Sequence, residues 1–149
     1  MTDPDALDRR ADEVAEQMLA RTLPAAQWTH EGHLLACISV VRRHGGAAAL
    51  ALLRAAIPRY NESTGVANTP TGGYHDTITV YFVWAIARLL AEGHGCAAIL
   101  GHALARRDAP LAWWERRVLM SPEARAAWLP PTRAGDGSPG PASILAASP

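Results

Sequence analysis

Apolar residues recur at helical spacing along most of this chain, and clusters of polar and turn-forming residues separate the runs. Leu7, Ala11, Val14 and Met18 follow Asp3 and Pro4, which predicts an amphipathic first helix with proline in its first turn, ending near Arg21. After a turn over Leu23 to Gln27, Thr29 is placed to cap a second helix that runs to His44 and stops at Gly45 and Gly46. Leu50, Leu53 and Ile57 mark a third helix from Ala47 to about Tyr60, with Pro58 bending or ending its last turn. Tyr74 to Glu92 is apolar nearly all round in its middle, the pattern of a central helix covered on several sides. Its β-branched residues also suit a strand, but its length and the lack of a second convincing strand pattern decide for helix.

Cys96 to Arg107 reads as a fifth helix, and Leu111 to about Leu119, with Trp113 and Trp114, as a sixth. Ser121 and Pro122 open a short last one through Trp128. The expected architecture is all-α, a single compact bundle of five to seven helices around a central apolar helix, over residues 1–128. Residues 129–149 are rich in proline, glycine and small side chains without periodicity, and predict a disordered or loosely attached tail.

Composition narrows the function. A length of 149 residues suits one core. Fourteen basic residues balance fourteen acidic ones, so no net field draws the chain to nucleic acid or an anionic membrane. Every basic residue is arginine, which excludes Schiff-base and amine catalysis by lysine. Cys37 and Cys96 lie inside apolar helical patterns, the polar N-terminus does not resemble a signal peptide, and the longest apolar run is short and broken by Arg88. These features point to the cytoplasm. The chain carries no P-loop, dinucleotide-binding glycine fingerprint, C-x-x-C pair or H-E-x-x-H motif.

Histidine supplies the candidate chemistry. At 100° per residue, His30 and His33 share a stripe with Leu34, Cys37 and Val41, and His75 shares one with Ile78, Thr79, Phe82, Ile86 and Leu89. All three are expected to point inward from the first turn of a helix. Buried imidazoles need partners, and one divalent transition metal (zinc, iron or copper) would serve all three, leaving open positions for water or substrate. Glu31 and Asp76, each directly after a histidine, are candidates for moving protons, orienting an imidazole or favouring the helix dipole.

Cys37 reads as packing rather than a fourth ligand, and His44 and His94 as helix-end caps beside glycines. The long turn-rich segment from Asn61 to Gly73 leads into His75. Tyr60, Asn61, Asn68 and Thr69 at its ends are candidates to bind a small polar ligand, although turn chemistry alone would also place them there. Trp28, Tyr74, Phe82 and Trp84 suit either a pocket wall or plain core.

The segments WTHEGHL (28–34), RYNESTGVANT (59–69), GYHDTIT (73–79) and MSPEARAAW (120–128) together resemble a family of small uncharacterised bacterial all-helical proteins. The resemblance runs from about Trp28 to Trp128 and implies that His30, His33 and His75 act as a unit, but it implies no reaction. Three functions stay open: a three-histidine metalloenzyme on a small polar molecule; a cofactor-free acid–base enzyme (isomerase, cyclase or lyase) with a neutral histidine as base; or a ligand-binding or assembly protein, with Trp113 and Trp114 on a homodimer face.

Overall fold

The computed structural model describes residues 3–133, 135 and 137–147. Among these the chain forms eight α-helices, three short 3-10 turns and no strand: α1 (Pro4–Ala20), α2 (His30–His44), α3 (Gly46–Ser63), α4 (Asp76–Ala91), α5 (Cys96–Leu100), α6 (Arg116–Leu119), α7 (Pro122–Ala126) and α8 (Pro141–Ala147). The expected all-α bundle around a central apolar helix is the observed fold. No helix among the described residues is long and apolar enough to cross a membrane.

α4 is the hub. It packs against α2, α3, α7 and α8, and Val80, Tyr81, Val83, Trp84, Ile86 and Leu89 are all buried along it. Coverage on several sides explains why its middle carries no polar face. α1 lies along α2, burying Ala11, Val14 and Met18. Arg42 pairs with Asp8 at 2.7 Å, Arg43 with Glu16 at 3.3 Å, and buried Ser39 donates to Asp12 at 2.6 Å. That hydroxyl, reinforced by Arg43 and Arg42 and partly opposed by desolvation, lowers the Asp12 carboxyl pKa. Gly45 alone joins α2 to α3, turning the chain at φ 79°.

The fifth and sixth predicted helices are shorter and more broken than expected. α5 ends at Leu100, and two 3-10 turns, Ala103–Ala105 and Ala109–Ala112, fill the span to α6. Gly101 and Pro110 supply the interruptions. Trp114 is fully buried and Trp113 half-buried, edge-on to Trp84 with ring centroids 5.9 Å apart, so these residues belong to the core rather than to an exposed partner face.

The segment after Leu129 also departs from expectation, because its described part is docked. The Trp114 indole donates to the Leu129 carbonyl at 3.1 Å, the Arg133 amide to Trp113 O at 2.9 Å, and the Glu115 amide to Thr132 Oγ1 at 2.8 Å. α8 then packs on α4 and α3 and buries Ile144 to 1% exposure. One isoleucine in a seven-residue helix gives too short a pattern to register as periodicity. Residues 134, 136, 148 and 149 of the predicted tail lie outside the described residues.

Candidate functional site

The start of α2 is built by Thr29. Its backbone is extended, its hydroxyl accepts from the Gly32 amide at 3.1 Å, and its carbonyl accepts from the His33 amide at 2.9 Å. The preceding 3-10 turn, Ala25–Gln27, sits directly on this first helical turn: a Cβ at Gly32 would come within 2.3 Å of the Gln27 carbonyl oxygen. Glycine there lets Trp28 fold back over the helix start, where its ring stacks on His33 with centroids 3.8 Å apart and planes tilted by 31°.

His30 and His33 line one cavity of about 310 Å³. Leu34 and Cys37 of α2, Leu53 and Ile57 of α3, and Ile78, Phe82 and Val83 of α4 make its apolar walls. Trp28, Thr29, Thr79 and Arg107 complete the lining. The His30 ring meets Phe82 edge-on, with centroids 5.3 Å apart.

Each of these histidines has one nitrogen committed to a backbone carbonyl. His33 Nδ1 is 2.7 Å from Thr29 O, and His30 Nε2 is 2.8 Å from Ala105 O. A carbonyl only accepts, so those nitrogens carry the protons and the opposite ones, His33 Nε2 and His30 Nδ1, keep their lone pairs. Desolvation pushes the His33 pKa below the ordinary imidazole value. The Thr29 carbonyl opposes the shift, and the charges of His30 and Arg107 add to it. His33 is open to solvent, with the Trp28 ring stacked on one face of its imidazole. Burial drives the Cys37 thiol up to about 12, so it lines the cavity as a neutral, unreactive group.

His75 does not join them. It is the N-cap of α4, not a first-turn residue: its Nδ1 accepts from the Ile78 amide at 3.2 Å, and its Nε2 donates to the buried Leu119 carbonyl at 2.7 Å. Both ring nitrogens are used, no lone pair remains for a metal, and His75 does not line the cavity. Among the described residues no group of three or more His, Cys, Asp or Glu side chains is gathered to hold an ion. The expected three-histidine centre for zinc, iron or copper therefore does not form, because the capping geometry turns the third imidazole onto the α6 carbonyl.

The other predicted residues also have structural employment. Buried Asp76 takes a two-pronged contact from Arg54, at 2.9 and 3.0 Å, and a 2.7 Å hydrogen bond from the Tyr74 hydroxyl. Burial, and secondarily the hydrogen bond to Asp76, pushes the Tyr74 phenol upward. Glu31 is exposed in the first turn of α2 and does not line the cavity. The buried Tyr60 hydroxyl donates to Leu23 O at 2.8 Å.

Asn68 knits its own loop. Its Oδ1 accepts from Asn61 Nδ2 and the Tyr74 amide, both at 3.0 Å, and its Nδ2 donates to Pro58 O at 2.9 Å. Thr69 accepts from the Thr71 amide at 3.3 Å. Asn68 and Thr69 border a separate, more open depression of about 510 Å³ with Tyr74 and Arg125, away from the histidines. Tyr60, Asn61, Asn68 and Thr69 thus form no ligand-binding set with His30 and His33.

Arg107 and Thr79 are cavity residues that sequence reasoning missed. Thr79 was legible on the α4 stripe beside Ile78. Nothing in the spacing marked Arg107, because it follows an irregular segment rather than a helix. Compared with known proteins, the chain matches no family model, no curated protein and no solved structure.

Proposed function

We propose that the protein is a small-molecule acid–base enzyme, an isomerase, cyclase or lyase, in which neutral His33 exchanges a proton with a ligand held between α2, α3 and α4. The observation that carries this reading is the orientation of one ring: His33 is tied through Nδ1 to Thr29 O, which leaves Nε2 as the acceptor beside an apolar cavity, and desolvation lowers its pKa. When Nε2 takes a proton from the ligand, the Thr29 carbonyl already faces the other N–H of the resulting imidazolium. The electron pair of the broken bond stays on the ligand, and the proton returns from Nε2 to a different atom, completing the transfer. His30 Nδ1 is a second acceptor that can orient a ligand hydroxyl.

The test is proton exchange in deuterated water with a panel of small carbonyl and unsaturated compounds, followed by NMR. Wild-type protein treated exhaustively with a chelator is expected to catalyse exchange on a member of the panel. His33→Gln, which keeps a polar side chain, is expected to lose at least about 100-fold of that rate. Full exchange by His33→Gln removes His33 from the reaction, and loss on chelation returns the reading to a metal-dependent one. Binding without exchange throughout the panel favours a ligand-binding protein.

A further inference from the structure

We infer that the ligand of the cavity between α2, α3 and α4 is an amphipathic monoanion: an apolar or aromatic body carrying one carboxylate that meets Arg107. This inference rests on the cavity being a ligand site and adds its chemical class.

The lining sorts by chemistry. Leu34, Leu53, Ile57, Ile78, Phe82 and Val83 exclude a strongly hydrated molecule from the body of the cavity. Among the described residues no carboxylate belongs to the lining, and its only permanent charge is the Arg107 guanidinium. That cation has no ion pair or hydrogen bond among the described residues. The nearest acid in sequence, Asp108, is engaged by Arg106 at 3.3 Å.

The solvent-exposed Arg107 guanidinium, without a partner among the described residues, presents a planar fork of donors on an apolar lining, the geometry that a carboxylate meets with two parallel hydrogen bonds. Thr29 and His30, at the positive end of the 15-residue α2, lie on the same lining and favour negative charge there. A cationic ligand would match the imidazole lone pairs but be repelled by Arg107 and by the helix end. A volume of about 310 Å³ corresponds to roughly ten water volumes. That limits the ligand to a single ring or short chain with its acid group.

The experiment uses three probes of one shape, 3-phenylpropanoate, 3-phenylpropanamide and 3-phenylpropylamine. Each is titrated into the full chain, with amide NMR shifts at Thr29 to Cys37 and Ile78 to Val83 locating the site. The carboxylate is expected to bind at least about fivefold more tightly than the amide, with the preference shrinking as salt is raised. Arg107→Gln should erase that preference by weakening the carboxylate far more than the amide, and Arg107→Lys should keep part of it. Equal affinity for acid and amide, tighter binding of the amine, or an acid preference that survives Arg107→Gln overturns the anionic class and leaves the cavity a ligand site. If none of the three probes shifts the cavity amides, both the class and the acid–base reading fall.

Discussion

Replacing His75 by alanine is expected to cost stability rather than ligand binding, and the structure sets the size of the loss. The imidazole makes two hydrogen bonds that alanine cannot replace. Losing an N-cap costs about 1 kcal/mol, and stranding the buried Leu119 carbonyl costs a further 1–3 kcal/mol or so, for a sum of about 2–4 kcal/mol. For a chain of this length that corresponds to a fall in Tm of roughly 5–15 °C.

His75→Asn separates the two contributions. Its side-chain oxygen can still cap α4, recovering about 1 kcal/mol, but it is too short to reach Leu119. Thermal and urea melts of wild type, His75→Ala and His75→Asn should therefore rank in the order wild type, asparagine, alanine. Titration with a cavity ligand should give the same affinity for all three below their melting ranges. A His75→Ala variant that melts within about 2 °C of wild type would refute the capping account, since a lost cap and a stranded carbonyl cannot cost so little. Loss of ligand or metal binding at unchanged stability would put His75 back in a functional site.

Three further outcomes follow from the same contacts. His75 is neutral in the fold, with its pKa lowered chiefly by desolvation against an opposing Leu119 carbonyl, so below about pH 6.5 the unfolded chain binds a proton that the folded chain does not. Stability, from urea midpoints, should therefore fall with pH through that range at up to about 1.4 kcal/mol per pH unit, less steeply in His75→Asn; a flat profile in wild type contradicts the assignment. Ile144→Ala should cost about 2–4 kcal/mol in the same melts, because α8 inserts that side chain into the core, whereas an unchanged midpoint would return the segment to a loose tail. Arg54→Met should destabilise by about 2–3 kcal/mol, less than for a fully buried pair because Arg54 reaches solvent, and Asp76→Asn in that background should restore part of the loss.

The regular part of the fold was legible because it rests on periodicity. α1 to α4 lie within a few residues of their predicted bounds, since each has a long repeating apolar face and recognisable end signals: Asp3 and Pro4, Thr29, and Gly45. The region from Gly101 to Trp128 was less so. There Pro110, Ser121 and Pro122 break the chain into pieces of three to five residues, too short to show a period; of these, Ala103–Ala105 and α7 are placed by packing on α4.

For the site, helical spacing put His30 and His33 on one inward stripe; both border the cavity, but His33 is open to solvent, and His75 was misassigned by one step of local geometry. A histidine directly before a helix has extended backbone, φ −134° and ψ 109°, and its ring folds back on the following amide instead of projecting along the stripe. The same stripe argument could not tell Asp76 as a proton carrier from Asp76 as the partner of Arg54, because that arginine lies on a different helix.

The contrast among the three histidines is itself an argument about where function lies. His75 has both nitrogens satisfied, as a purely structural buried imidazole should. His30 and His33 each have one nitrogen fixed by a carbonyl and the other without a hydrogen bond among the described residues, on a cavity that could instead have been filled by leucine and isoleucine. Fixing one nitrogen holds the ring and the tautomer, so the lone pair on the other is aimed rather than averaged over two states. Filling the cavity with apolar side chains would have favoured stability on packing grounds. A fold that satisfies its polar groups in the Asn68 loop and around Asp76 also holds two oriented imidazoles and Arg107, which has no protein partner among the described residues, around one apolar cavity, and sites of that kind are where a ligand supplies the missing partners.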